Sequence, residues 1–164
     1  MLTLTRHRHY LTRAAELGVV RAGDALDLGG GTGSAAAADP VAADLVAAGL
    51  TVVEVDLSAH RDMGTLAFPA ESFDLVTAFF SIVHLPKEEH GRLLRRIARW
   101  LRPGGGLVAN LGLTGGGASG AGWDDRTNRR LVEAAGLDLL LDNVEATVDE
   151  GRTVDFQWVI ARKP

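Results

Sequence analysis

Residues 25–33, which read ALDLGGGTG, decide the fold of this chain. The apolar start predicts a buried strand, and the glycines that follow predict a tight turn, because glycine adopts backbone angles that other residues avoid. The next segment is rich in alanine and predicts a helix that ends at Gly49, although Asp39 and Pro40 indicate that it begins several residues after the turn. Strand, glycine turn and helix in this order open a β-α-β unit whose backbone can approach a ligand closely.

The rest of the apolar pattern extends this unit into an α/β domain. Residues 50–57 are rich in β-branched residues and predict a second strand, which runs parallel to the first because a helix lies between them. We predict a single domain over residues 1–164, with a doubly wound, mostly parallel, Rossmann-like sheet that ends in antiparallel C-terminal strands. The other predicted elements are helices over 10–19, 86–101 and 125–135, and strands over 73–79, 107–113, 137–146 and 153–161.

The composition narrows the possible partners. With 164 residues, 46% of them hydrophobic, the chain is long enough for one packed core. Its 17 Lys and Arg against 21 Asp and Glu argue against nucleic acid or an anionic membrane as a partner. The sequence contains no cysteine, which removes thiolate metal sites and disulfides and is compatible with a reducing compartment. We therefore expect a cytoplasmic monomer or homodimer that acts on a small molecule.

The N-terminal segment has neither a metal motif nor a membrane span. His7 and His9 alternate with arginines, and no carboxylate or cysteine lies close by in the sequence to complete a metal shell. We therefore predict a solvated N-terminus and no metal site. The sequence contains no apolar stretch of the length that a spanning helix needs, so we expect no membrane partner.

Two acidic residues stand at the ends of the first two predicted strands. Asp27 precedes the glycine turn, and Asp56 stands at the end of the second strand. Because parallel strands end at the same edge of a sheet, both acids belong to one crevice, where the second can accept both hydroxyls of a ribose. The pattern predicts a site for a nucleoside cofactor. A dinucleotide fingerprint requires its third glycine one position after Gly33, which disfavours an NAD(P)-binding oxidoreductase but leaves it as an alternative.

Several segments resemble one known family in the same order along the chain. Residues 25–33 resemble the first motif of class I S-adenosylmethionine-dependent methyltransferases, and residues 53–58 (VEVDLS) resemble the second. Residues 68–76 (FPAESFDLV) are similar to the approach to the fourth strand of this family, and residues 99–108 (RWLRPGGGLV) to the turn before its fifth strand. The resemblance implies an enzyme that transfers a methyl group from S-adenosylmethionine to a small-molecule acceptor.

The resemblance also implies roles for individual residues. Asp27 orders the glycine turn or reaches the cofactor amino group through water, and Asp56 takes the ribose. Asp62 and Met63 resemble the third motif, which holds the adenine, and His84 is the candidate base. The cofactor-binding residues implied are Asp27, Gly29, Gly30, Gly31, Asp56, Leu57, Asp62, Met63 and Ala78.

The chain departs from the family between Asp56 and Asp62. Only five residues lie there, where the family has a helix and an edge strand, so we predict that one edge strand-helix unit is lacking. The loss exposes a new edge strand and thins the wall beside the adenine. Two alternatives therefore stay open: a non-catalytic protein that binds S-adenosylmethionine or S-adenosylhomocysteine, and a shortened methyltransferase scaffold. Transfer can also rely on proximity alone, without a base.

Overall fold

The computed structural model describes residues 2–29, 40–56, 66–114, 122–149 and 151–164. Over these residues the chain forms one six-stranded sheet with four helices packed on its faces. The elements in chain order are α1 (Leu2–Glu16), β1 (Gly23–Gly29), α2 (Pro40–Ala47), β2 (Leu50–Asp56), β3 (Phe73–Ala78), a 3₁₀ turn (Ile82–His84), α3 (Lys87–Trp100), β4 (Leu101–Gly112), α4 (Asp125–Ala134), β5 (Asp138–Asp149) and β6 (Arg152–Arg162).

The strand order confirms the predicted fold class. The order across the sheet is β2-β1-β3-β4-β6-β5, in which β2, β1, β3 and β4 are parallel and β6 is antiparallel to both of its neighbours. From β1 the chain moves outward to β2 and then crosses to β3 on the other side of β1, which makes the doubly wound topology. Within the described ranges the sheet ends at β2, in agreement with the predicted loss of an edge unit.

Alternate residues of each central strand pack against different helices. Leu26 and Val76 belong to the apolar cluster that contains the buried faces of α3 and α4. Ala25 and Leu75 belong to the second cluster, which contains the buried residues of α1 and α2. Side chains of successive strand residues point to opposite faces, so two helical layers cover both faces of the parallel strands. This explains why the central strands β1 and β3 are mostly apolar and buried, whereas the edge strand β2 carries exposed residues such as Val53 and Glu54.

The sequence prediction placed the start of β4 too late. The glycine run 104–106 was expected to form a turn before a strand at residue 107, but β4 begins at Leu101, directly after α3. A Cβ on Gly105 would lie 2.9 Å from the carbonyl oxygens of both Arg102 and Asp74. Glycine therefore lets β4 run close beside β3, where the pairing register shifts as in a β-bulge.

The predicted solvated N-terminus is wrong for His7. Its side chain is only 3% exposed, and Nε2 lies 3.1 Å from Asp44 Oδ2 of α2. The Nε of Arg8 donates to the same oxygen at 2.8 Å, and this contact, together with His7, lowers the pKa of Asp44. His9 is exposed, as expected. The carboxylate that anchors His7 lies on another helix, which explains why no local pattern revealed it.

A buried histidine of α3 makes stability depend on pH. His90 is 1% exposed, its Nε2 lies 3.1 Å from the carbonyl oxygen of Leu85, and burial lowers its pKa from the ordinary value of 6.5. Below pH 6.5 the unfolded chain therefore binds a proton that the folded chain resists. We expect the free energy of unfolding to be highest above pH 6.5 and to fall as the pH decreases from 7 to 5.

Urea unfolding at fixed pH values measures this dependence. The variant His90→Gln should flatten the profile between pH 7 and 5, whereas His9→Gln, on an exposed position, should leave it unchanged. The paired carboxyl of Asp44 does not interfere, because its pKa is lowered from 3.8 and its contribution is lost only at more acidic pH. A flat profile for the unsubstituted protein would contradict the prediction.

Candidate functional site

The carboxyl ends of β1, β2 and β3 lie side by side at one edge of the sheet, the edge at which the sequence predicts a ligand crevice. Gly29 and Asp56 are direct neighbours at the ends of β1 and β2. Ala78 ends β3, one residue beyond the pair formed by Asp27 and Thr77. The crevice lies where the strand order reverses between β1 and β3, the position at which open α/β sheets bind ligands. The structure therefore brings together Asp27, Gly29, Asp56 and Ala78, four of the residues that the sequence predicted.

The carboxylate of Asp27 is buried at the base of this crevice. Its side chain is 2% exposed, and Oδ1 accepts a hydrogen bond of 2.8 Å from Thr77 Oγ1. Burying a carboxylate costs free energy unless hydrogen bonds compensate it. Thr77 is such a compensating donor, and the sequence analysis missed it, since a threonine within an apolar strand carries no local signal of a partner on another strand.

Asp56 and Ala78, which also belong to the crevice, differ in exposure. Asp56 is half-buried at the last position of β2. An ionised carboxylate only accepts hydrogen bonds, so this position suits a ligand with neighbouring hydroxyl donors. Ala78 is fully buried, and its small side chain leaves the backbone at the end of β3 as the surface that a ligand can approach. The remaining predicted residues lie outside the described part of the chain: Gly30, Gly31, Leu57, Asp62 and Met63.

The predicted base, His84, is the last residue of the 3₁₀ turn that follows β3. Its side chain is exposed, and its backbone N–H donates to the carbonyl of Ser81 at 3.1 Å. The chain reverses before this turn at Phe80, which has a φ of +53°. Such a conformation is unusual for an aromatic residue and persists only where other contacts hold it.

Asn110 of β4 holds this reversal. Its Oδ1 accepts a hydrogen bond of 2.6 Å from the N–H of Phe80, and the side chain of Asn110 is fully buried. Sequence reasoning did not select Asn110. The available signal was a single amide residue within the apolar run 107–113, because a buried polar side chain needs a partner.

Aromatic rings surround the same end of the sheet. Tyr10 of α1 stacks on Trp158 of β6, with ring centroids 4.4 Å apart and an interplanar angle of 4°. Phe80 packs edge-on against Trp158 at 5.6 Å and against Phe156 at 5.1 Å. The hydroxyl of Tyr10 accepts a hydrogen bond from Asn143, and burial raises the pKa of Tyr10 to about 12, so the phenol is neutral. The region beside the crevice is thus aromatic and uncharged at these positions.

The described ranges contain neither a cluster of metal-ligating side chains nor a helix suited to spanning a membrane. Among these residues, no three His, Asp or Glu side chains are grouped so that they could hold a metal ion. None of the helices found there combines the length and apolar character needed to cross a membrane.

Comparison with known families points to one function class. A family model described as a methyltransferase domain matches residues 26–109, which is just over half of the chain. The matched region starts in β1 and ends in β4, and it therefore contains the whole crevice and the turn that carries His84.

Two proteins named as methyltransferases and one named as a cyclase are similar to the chain. The 27-O-demethylrifamycin SV methyltransferase of Amycolatopsis mediterranei is 32% identical over 114 residues, an alignment that covers 58% of this chain and 41% of that enzyme. The chain therefore spans less than half the length of this relative. The 1,6-didemethyltoxoflavin-N1-methyltransferase of Burkholderia thailandensis, solved with S-adenosylhomocysteine, has a TM-score of 0.65 at 20% identity. The superposed region covers 94% of this chain and 76% of that enzyme's chain. The cyclase SpnF has a TM-score of 0.61 at 19% identity, and the superposed region covers 96% of this chain and 80% of the SpnF chain.

Proposed function

The chain belongs to the class I S-adenosylmethionine-dependent methyltransferases, and we propose that it transfers a methyl group from this cofactor to a small-molecule acceptor. The observation that carries the proposal is the pairing of Gly29 with Asp56 at the ends of β1 and β2, beside the switch point of the sheet. A backbone that can approach a ligand thus stands directly beside a carboxylate that can accept from a diol.

The chemistry of the described side chains fits the cofactor. We propose that Asp56 accepts hydrogen bonds from the ribose hydroxyls and that Gly29 and Ala78 line the methionine part. Asp27, fixed by Thr77, orders the start of the glycine turn. The cofactor, when bound, supplies a methyl group activated by its sulfonium. Gly30, Gly31, Leu57, Asp62 and Met63 belong to the same proposal by resemblance alone.

Calorimetric titration with S-adenosylmethionine and S-adenosylhomocysteine tests this site. We expect saturable binding of both, and we expect Asp56→Ala to weaken it by about 10- to 100-fold, because a hydrogen bond to a charged group contributes about 1.5–3 kcal/mol. Glu54→Ala is the matched control, since Glu54 is an exposed acid two positions earlier on the same strand. Absence of binding at millimolar ligand, or equal losses in both variants, would contradict the site.

The small-molecule acceptor is the finer part of the proposal. It is supported by the net negative charge of the chain and by the names of the two methyltransferases it resembles, which act on small molecules. Transfer of labelled methyl to a panel that includes 27-O-demethylrifamycin SV, 1,6-didemethyltoxoflavin and simple phenols tests it. A cytoplasmic location, and a monomer or homodimer without nucleic acid or membrane as a partner, complete the proposal.

A second candidate function is binding without methyl transfer. It is favoured by one observation, that the described sheet ends at β2 and lacks the further edge strand of the family. The same fold also occurs in a protein named as a cyclase. Tight binding of S-adenosylhomocysteine, together with no product from any acceptor in the panel, would favour this candidate.

We propose His84 as the base that removes the acceptor proton. Its exposed side chain ends the 3₁₀ turn Ile82–His84, which comes soon after β3, so it lies on the segment that leaves the crevice. Exposure keeps the imidazole open to an acceptor and to solvent, which can take the proton away.

A further inference from the structure

Three buried polar groups near the crevice have no hydrogen-bond partner among the described residues. They are the hydroxyl of Ser81, the Nδ2 of Asn110 and the indole Nε1 of Trp158, and all three side chains are fully buried. A buried donor without a partner costs about 1–3 kcal/mol, and native proteins leave few such groups. Three together indicate that something else takes their hydrogen bonds.

The three groups are close neighbours. Asn110 of β4 and Trp158 of β6 are direct cross-strand partners, so their side chains project from the same face of the sheet, with Cβ atoms about 5 Å apart. Ser81 follows Phe80, whose N–H is bonded to Oδ1 of Asn110. That bond orients the amide of Asn110 and leaves its Nδ2 as a donor. The donors therefore form one set, on β4 and β6 and on the segment that follows β3.

The surroundings of this donor set are aromatic. Phe79 and Phe80 lie 5.8 and 5.6 Å from Trp158, and Phe156 lies against Phe80. Tyr10 of α1 covers Trp158 with a parallel ring. The Tyr10 ring shows that a flat ring fits on Trp158. The hydroxyl of Tyr10 accepts a hydrogen bond from Asn143 and makes none with the indole N–H of Trp158.

Helix α1 closes the donor set from solvent and is held at its rim by polar contacts. Arg6 pairs with Glu145 of β5, and Arg8 pairs with Asp44 of α2. Between α1 and α2 an open groove of about 320 Å³ remains. A displacement of α1 breaks these ion pairs and also exposes Tyr10, Ala14 and His7, which are buried, so ligand binding has to offset the loss of this packing.

We propose that the methyl acceptor binds beneath α1, on Trp158 and Asn110, and that it is a flat aromatic molecule with hydrogen-bond-accepting oxygens. The indole N–H of Trp158 and the Nδ2 of Asn110 donate to these oxygens, and the ligand takes the place of Tyr10 on the Trp158 ring. This inference rests on the proposed function, because it assigns the acceptor of that reaction. It makes Trp158 and Asn110 residues that determine specificity.

Two probes of similar shape separate hydrogen bonding from ring stacking. 7-Hydroxycoumarin and 2-naphthol are both flat, bicyclic and hydroxylated, but only the coumarin carries carbonyl and ring oxygens. In equilibrium dialysis we expect the protein to bind 7-hydroxycoumarin about five- to tenfold more tightly than 2-naphthol. This ratio corresponds to the free energy of about one hydrogen bond. Trp158→Phe keeps a ring and loses the donor, so it should reduce this preference to about twofold or less. Trp100→Phe is the control, because Trp100 is also buried but belongs to the apolar cluster that contains α3 and α4. This variant should keep the preference for 7-hydroxycoumarin.

A spectroscopic measurement follows the effect of the ligand on the unsubstituted protein itself. The chain has three tryptophans, so ¹⁵N-labelled indole groups give three N–H signals, which the two Phe variants help to assign. We expect 7-hydroxycoumarin to move the Trp158 signal downfield and to leave the Trp100 signal in place. No preference between the probes, a preference that survives Trp158→Phe, or an unmoved Trp158 signal would overturn the proposal. Calorimetry with S-adenosylhomocysteine reports separately whether the proposed function itself has failed.

Discussion

Replacing His84 with glutamine is expected to lower the rate of methyl transfer at least about 100-fold and to leave the affinity for S-adenosylhomocysteine unchanged. A positioned general base typically contributes about 10²- to 10⁴-fold. Glutamine keeps a polar side chain of similar length but cannot take up a proton. Because His84 is exposed and its described turn contact uses only the backbone, the change should not disturb the fold. The measurement is kcat at saturating cofactor with the best acceptor of the panel.

The control for this prediction is His9→Gln, which changes an exposed histidine of α1. That variant should keep the full rate. If His84→Gln keeps the rate within about threefold, the proton is lost without help from His84, and the protein acts by holding the acceptor in line with the methyl group and excluding water.

Replacing Trp158 with alanine is expected to reduce the free energy of unfolding by about 3–5 kcal/mol, the usual cost of truncating a buried aromatic residue to alanine. Trp158 is fully buried and contacts Tyr10, Phe79 and Phe80, so its loss leaves a cavity between the sheet and α1. For a chain of this length, the melting temperature should fall by about 6–20 °C. Urea unfolding followed by circular dichroism measures the change.

Trp123→Ala is the matched control for this truncation. Trp123 is half-buried, and its indole donates to the carbonyl of Lys87 at 2.9 Å while the Lys87 ammonium lies 4.5 Å from the ring centroid. Loss of these two contacts should cost only about 1–2 kcal/mol. Equal losses in both variants would mean that the aromatic cluster beneath α1 does not hold that helix on the sheet.

The crevice could be predicted from the sequence because its signals are local. Asp27 and Gly29 belong to one strand end, Asp56 stands at the next, and parallel strands must end at the same edge. None of these three residues has to be located relative to a distant part of the chain before its chemistry is recognisable. The family resemblance relied on the same short segments, and the match over residues 26–109 covers them.

The surface beneath α1 could not be predicted in this way. Asn110 and Phe80 are 30 residues apart, and His7 and Asp44 are 37 residues apart. A hydrogen bond between such residues depends on how helices and strands pack, which no spacing along the chain encodes. The same reason explains why β4 was expected to begin late, since Gly105 reveals its close approach to Asp74 only when β3 and β4 are paired.

The sequence by itself therefore determined the order of the elements, the parallel and antiparallel strand pairs, and the position of Asp27, Gly29, Asp56 and Ala78 at one edge of the sheet. These follow from periodicity, glycine turns and strand ends, which are properties of neighbouring residues. Only the tertiary structure decided that His7 is buried, that Asn110 holds the turn at Phe80, and that Trp158 lies opposite Asn110. Those features arise from contacts between distant segments, which exist only once the layers of the fold have packed.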